Sequence, residues 1–436
     1  NIPANAAGMG RRQFLKSAAL APFALSMSGL PLAKASARPR ARSVVLVWLH
    51  GGPSQLDTFD PKPLAPDTHR SPFQTIQTRT TGAHFTELFP KLADRSHRFA
   101  VVRSTVTNNV GHEVGVLTGM TNPALQAGAP NFGSIVAKNR RTSTLPPFML
   151  ITPPFTPPTN TATFSRNVAG RFGPAYDPFS ITCEVDGRVD FGDFRPLSPS
   201  DSVRLEARRQ LRTQLEAGHS ATPRGLAFEA QWDQACAMLT SPDARRVFEL
   251  SREREQVRDA YGHTTFGQSL LLTRRLVEAG VPYVWTSFSR GNDSHEEGAA
   301  CGWDTHDNRF LLMADWHGPI LDRALSAFLD DLHQRGLLES TLVVVMGEMG
   351  RTPQIDGAGA GGRNHWGRSG FSLWAGAGVQ GGRIVGETDR IGGEPLSAPV
   401  TPLMIGTTMT ELAGVDAQAR SEMGVLQGGS VIDELF

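Results

Sequence analysis

Short, unbroken apolar runs recur along the chain, and each ends abruptly in glycine, histidine or an acid. Residues 44–49, 99–103, 148–151, 281–288 and 341–346 are such runs, rich in valine, leucine and isoleucine. Runs of this length without polar alternation predict strands buried on both faces, as in the interior of a parallel sheet. Residues 370–375 and 383–385 predict further strands at the sheet's edges.

Between these runs the period lengthens to that of a helix. Residues 203–217 and 244–258 read as charged amphipathic helices. Thr264 or Thr265 caps a helix over 266–279, which Gly280 closes. A helix over 310–335 is broken or redirected near Gly318 and Pro319, and 402–412 forms a final helix. Strands alternating with helices predict an α/β fold, a doubly wound, mostly parallel sheet with helices on both faces. Residues 152–200, rich in proline, threonine, phenylalanine and glycine, read as a long irregular insertion, either a lid or a surface excursion.

The start of the chain departs from this pattern. Arg11-Arg12-Gln13-Phe14-Leu15-Lys16 precedes an apolar run over 17–30, and Leu32-Ala33-Lys34-Ala35 supplies small residues before a cut. This arrangement predicts a twin-arginine signal over 1–35, engagement of the twin-arginine translocase and an exported, periplasmic location. The run is too short and too interrupted for a stable membrane anchor. Residues 36–436 then form a single domain. With 43 Lys and Arg against 42 Asp and Glu, a net charge of +1 offers no general field for nucleic acid. Cys183, Cys236 and Cys301 make no zinc pattern and allow either one bridge or three buried thiols.

Candidate chemistry collects where the apolar runs end. After the first strand come His50, two glycines, Ser54, Asp57 and Asp60. After the second come Thr105, Thr107, Asn108, Asn109 and His112. The loop after 281–288 holds the densest set, including Trp303, Asp304 and His306, and in extended backbone Asp304 and His306 point to one side. The run 341–346 ends in Gly347-Glu348-Met349-Gly350-Arg351-Thr352-Pro353, followed by Arg363-Asn364-His365-Trp366. Open α/β sheets bind ligands at the carboxyl ends of their strands. Acids and imidazoles gathered there are oxygen and nitrogen donors suited to zinc or manganese. Arg351 is a planar fork for an oxyanion, or alternatively the salt-bridge partner of Glu348.

Three segments also carry a resemblance to a known family. They are His50-Gly51-Gly52-Pro53-Ser54-Gln55-Leu56-Asp57-Thr58-Phe59-Asp60-Pro61-Lys62-Pro63, Trp303-Asp304-Thr305-His306, and Gly347 to Pro353 with Asn364-His365-Trp366. Together they resemble the twin-arginine-exported bacterial proteins called domain of unknown function 1501, a family similar to the alkaline phosphatase and sulfatase superfamily. The resemblance implies an alkaline phosphatase-like sheet with a two-metal hydrolytic centre at its carboxyl edge. His50 stands where that pattern has a metal-binding aspartate, and Asp57 follows a few residues on. Asp304, His306, Glu348 and His365 match further ligand positions, whereas Met349 stands in place of a ligating histidine. The stretch from Asn108 to His112 is similar to an Asn-Ser-x-Val-Gly-His stretch of cofactor-independent phosphoglycerate mutase, with its serine missing.

The leading expectation is therefore a metal-dependent hydrolase of phosphate or sulfate esters acting on a small anionic ester. Its metal ligands are His50, Asp57, Asp304, His306, Glu348 and His365. Arg351, Ser54, Thr105, Thr107 and His112 are the catalytic candidates. A catalytically inactive sulfatase-like scaffold is the alternative, motivated by the missing nucleophile. A serine α/β-hydrolase ranks below both, because His50-Gly51-Gly52 resembles an oxyanion loop yet no Gly-x-Ser-x-Gly elbow occurs.

Overall fold

The computed structural model describes residues 41–112, 114–120, 128–140, 144–154, 168–191, 241–288, 302–304, 306, 309–356 and 361–436, with isolated positions between 203 and 214. The expected signal segment, the helix over 203–217, Cys236 and Cys301 lie largely or wholly outside the described residues. Cys183 is buried as a free thiol.

Nine strands form the central sheet: β1 Ser43–Leu49, β2 Phe99–Thr105, β3 Phe148–Thr152, β4 Phe179–Cys183, β5 Val189–Asp190, β6 Tyr283–Phe288, β7 Thr341–Met346, β8 Gly370–Ala375 and β9 Arg383–Val385. Their spatial order is β9-β2-β8-β7-β1-β6-β3-β4-β5. β1 is the centre, parallel to both β7 and β6. Every residue of β1, β6 and β7 is buried. Alternation divides them between two cores: Val45, Val47, Leu49, Val343 and Val345 enter one, and Val44, Leu46, Trp48, Val344 and Met346 the other. Helices cover both faces, which is the doubly wound architecture expected.

Three details depart from expectation. β8 is internal, running antiparallel between β2 and β7, so the sheet is mixed. Its two faces are both apolar, Phe371 and Leu373 toward one core and Trp374 toward the other. That composition suits an interior strand better than an edge. The proline-rich stretch contributes β4 and β5, because Ile181 and Cys183 alternate into the core beside β3. The helix expected over 244–258 is split into Pro242–Val247, a 3-10 turn at Leu250–Arg252, and Glu255–Tyr261. The Arg275 guanidinium takes the carbonyls of Arg246 and Val247 at the break, and Glu253 pairs with Arg274 and Arg275.

The helical framework is otherwise as patterned. α1 is Pro90–Arg95 and α2 Phe132–Asn139. α3, Thr265–Glu278, is capped by the Thr264 hydroxyl, which accepts from Gly267 N, and Gly280 follows in the left-handed region at φ +82°. A helical turn at Arg309–Leu312 passes through a π turn, Met313–His317, into α4, Gly318–Gln334. Pro319 has no N–H for the preceding turn, which accounts for the irregularity just before it. α5, Pro402–Leu412, starts at a Thr401 cap.

α5 and α2 approach closely at Gly406, where a Cβ would stand 2.2 Å from Cε1 of Phe132. In an open helix Gly→Ala stabilises by about 0.5–1 kcal/mol. Here the sign is reversed: Gly406→Ala is expected to destabilise by about 1–3 kcal/mol through overpacking. A lower urea midpoint at unchanged slope checks this; a raised midpoint contradicts the packing.

Candidate metal centre

β8 is antiparallel to both β2 and β7, so β1, β2, β6 and β7 all point their carboxyl ends to one rim. Each delivers a different side chain there. β1 ends in His50-Gly51-Gly52, with both glycines at positive φ. Gly52 packs so tightly on Met349 that a Cβ would lie 2.8 Å from its Cγ, and Met349 is buried beneath it. β7 runs directly into Gly347 and Glu348. β2 leads through the Asn108–Gly111 loop to His112, and the chain after β6 supplies Trp303, Asp304 and His306. Gly350–Arg351 pairs antiparallel with His365–Trp366, which folds His365 back over the rim.

Two groups of possible ligands result, with ligand atoms within 4.8 Å of one another: His50, His112 and Glu348, and His112, Asp304 and His365. In the first, His112 Nδ1 is 2.8 Å and His50 Nδ1 3.7 Å from Glu348 Oε1. In the second, His112 Nε2 lies 2.9 Å from Asp304 Oδ2, and His365 Nε2 lies 3.0 Å from Asp304 Oδ1. His306 Nε2 joins this edge, 2.9 Å from Asp304 Oδ1 and 3.0 Å from His365 Nε2.

These residues fit a divalent ion. Two ligands about 2 Å from a tetrahedral ion stand roughly 3.3 Å apart, which the observed separations bracket. Each group also has an unsatisfied buried atom. Glu348 Oε1 accepts from Gly51 N at 2.8 Å, yet buried Oε2 has no hydrogen-bond partner. His112 Nε2 is buried and makes no aligned hydrogen bond, and its contact with Asp304 Oδ2 at 2.9 Å is an ion pair. The Trp48 indole N–H, 3.4 Å from His50 Nδ1, points at the same lone pair that an ion on that nitrogen would take. His365 Nδ1 is 2.7 Å from the carbonyl of Val110, which directs Nε2 toward Asp304.

Without an ion, the charges satisfy one another. Burial opposes a charge on His112, but the carboxylates of Asp304 and Glu348 outweigh it and carry the imidazolium up to about 9. Burial likewise opposes ionisation of Asp304, yet His112, His365 and Arg351 hold its carboxyl well below the usual range. Glu348 is lowered against its burial by His50 and His112. His50 is lowered, chiefly by burial, toward the neutral form a metal requires.

The remaining sequence candidates lie around the groups rather than in them. Arg351 is fully buried, and its partner is Asp304 at 2.7 Å rather than Glu348. Its guanidinium also donates to the carbonyls of Gly52 (2.8 Å), Arg363 (3.1 Å), Trp303 (3.3 Å) and Gly51. Asp57 is buried against Arg363 in a two-pronged pair at 2.8 and 3.2 Å, outside both groups. Ser54 Oγ accepts from Asp57 N, Thr105 Oγ1 meets Ser372 Oγ, and Thr107 is buried beneath Asn109.

Sequence reasoning overlooked Arg363 and Gln55. Gln55 clamps the same region by accepting from Arg351 N and donating to the carbonyls of Arg351 and Gly392. The available signal was a long polar side chain within each ligand-bearing segment.

Residues 41–436 match the family described as Protein of unknown function (DUF1501). The chain belongs to this family. The chain also resembles solved structures at low identity. Ps i-CgsB in complex with k-i-k-neocarrahexaose is 11% identical, with a TM-score of 0.42 over 89% of this chain and 75% of that one. PsFucS1 sulfatase from Pseudoalteromonas sp. is 14% identical, with a TM-score of 0.39 over 92% and 70%. A protein in the alkaline phosphatase superfamily from Vibrio parahaemolyticus is 12% identical, with a TM-score of 0.39 over 87% and 67%. No curated protein matches the chain.

An incoming ion competes with the proton on His112. Metal affinity of this DUF1501 protein is therefore expected to rise with pH between about 6 and 9 and to level off above, with proton release on binding below that point. Chelator competition across this range checks the slope, and a flat profile contradicts the role given to His112.

Proposed function

We propose that the protein is an exported metal-dependent hydrolase of phosphate or sulfate esters. The convergence of His50, His112, Asp304, Glu348 and His365 at the carboxyl rim carries this reading. The twin-arginine pattern supports export, and among the described residues no helix is long and apolar enough to cross a membrane. Divalent ions, zinc or manganese by donor type, supply charge neutralisation and Lewis-acid polarisation for an anionic ester.

The chain's own residues prepare that site. Glu348 and Asp304 remain carboxylates, each pinned by imidazoles. Arg351 acts as a positioning residue, fixing Asp304 while tying the β1 and β6 loops together. His306, 42% exposed, is the ring through which a substrate meets the cluster. Asp57 holds Arg363, whose carbonyl in turn accepts from Arg351.

One observation favours the second reading, an inactive sulfatase-like scaffold. The hydroxyls of Ser54, Thr105 and Thr107 belong to buried side chains with local polar contacts. In the hydrolase reading solvent attacks the ester; in the scaffold reading nothing does. Elemental analysis of the exported protein with a phosphatase and sulfatase panel separates them. Metal-stimulated turnover is expected, and bound metal without turnover on any ester selects the scaffold.

His306→Ala and His365→Ala are each expected to lower retained metal sharply, and unchanged content in both removes the metal assignment. Arg351→Lys keeps the charge but not the fork, and is expected to weaken metal binding by about 10–100-fold. Titration with a chromogenic chelator reads this; wild-type affinity would contradict the positioning role.

A further inference from the structure

We infer that His112 bridges two metal ions, one on each ring nitrogen. This rests on the metal-centre reading above and adds how the two ions are joined.

The two ligand groups meet at this single residue, and they reach it from opposite nitrogens. Nδ1 lies 2.8 Å from Glu348 Oε1, on the side of His50. Nε2 lies 2.9 Å from Asp304 Oδ2, on the side of His365. The ring stands between the other two imidazoles, with centroids 5.7 Å from His50 and 4.6 Å from His365. One nitrogen cannot serve both groups, because the lone pairs of an imidazole diverge in the ring plane.

The unsatisfied atoms fall on both sides. Glu348 Oε2 is buried without a hydrogen-bond partner in the first group, and His112 Nε2 is in the same condition in the second. A histidine that holds one ion commonly donates its other N–H to a carboxylate. Here Nε2 pairs with Asp304 at 2.9 Å without an aligned hydrogen bond, and Asp304 itself belongs to the second ligand group, so the carboxylate and the nitrogen face one ion position together.

The arrangement also sets the spacing. Each ion stands about 2 Å beyond its nitrogen, on opposite sides of the ring. The pair is thus farther apart than the roughly 3.5–4 Å at which two ions clamp one oxygen. Each ion forms a bond with a nitrogen lone pair and releases any proton there to solvent; no electrons are transferred.

Copper(II) tests the bridge, because two copper ions joined by one deprotonated imidazole couple magnetically. The full-length mature chain is stripped of metal and loaded with copper. Copper is counted by elemental analysis and examined by low-temperature electron paramagnetic resonance. We expect two coppers per chain and replacement of the mononuclear spectrum by that of a coupled pair. His50→Ala, which leaves His112 in place, should retain one copper with an uncoupled spectrum. His112→Ala should abolish coupling, with circular dichroism establishing that each variant is folded.

One copper in the wild-type chain, or two without coupling, overturns the bridge even if a metal-dependent esterase activity is present. Coupled copper in a protein whose zinc and manganese forms hydrolyse no phosphate or sulfate ester upholds the bridge and removes the hydrolase reading.

Discussion

The buried guanidinium of Arg351 joins the separate parts of the rim. It bonds to carbonyls of the loops after β1 and β6 and to the segment before His365, and it meets Asp304 directly. A cation in that position is costly unless its hydrogen bonds are complete. Losing any of these loops would leave the charge underserved, and losing the charge would leave several buried carbonyls unpaired. The constraint is mutual, so the loops keep their spacing. A second buried pair, Arg363 with Asp57, repeats the principle one layer away and anchors the backbone that carries His365.

Around this clamp, the site gathers groups that disagree about charge. Glu348 and Asp304 are both held ionised, and His112 between them is held protonated in the metal-free protein. A compensating imidazolium makes a buried and a half-buried carboxylate tolerable at close range. A divalent ion held there would meet the same electrostatic need with twice the charge, beside the unpartnered Glu348 Oε2. Metal binding in the proposed reading would be an exchange of cations in a preformed anionic nest, which would tie affinity to proton concentration.

The sheet makes these encounters possible. Strands β1, β6, β7 and β2 are distant in sequence but open onto one rim, because β8 inserts between β2 and β7 and restores their common direction. An exterior β8 would leave β2 and its His112 loop without this neighbourhood. Each core face adds rigidity through valine-rich strands beneath helices, so modest loop movements are resisted from below.

The amino-acid sequence alone determined what local pattern can express. Apolar runs marked the interior strands, Thr264 and Gly280 bounded α3, and Gly318-Pro319 located the irregular turn before α4. The polar segments that supply the rim were visible as abrupt strand endings. Tertiary structure decided how those pieces were matched: β8 inside the sheet, β4 from an irregular-looking stretch, Asp304 beside Arg351, Asp57 beside Arg363, and His112 between two groups of donors. Burial and backbone period act over neighbouring residues and therefore leave a mark in the sequence. The partner of a buried charge is set by which distant loop arrives with the complementary group, and only the packed sheet determines that.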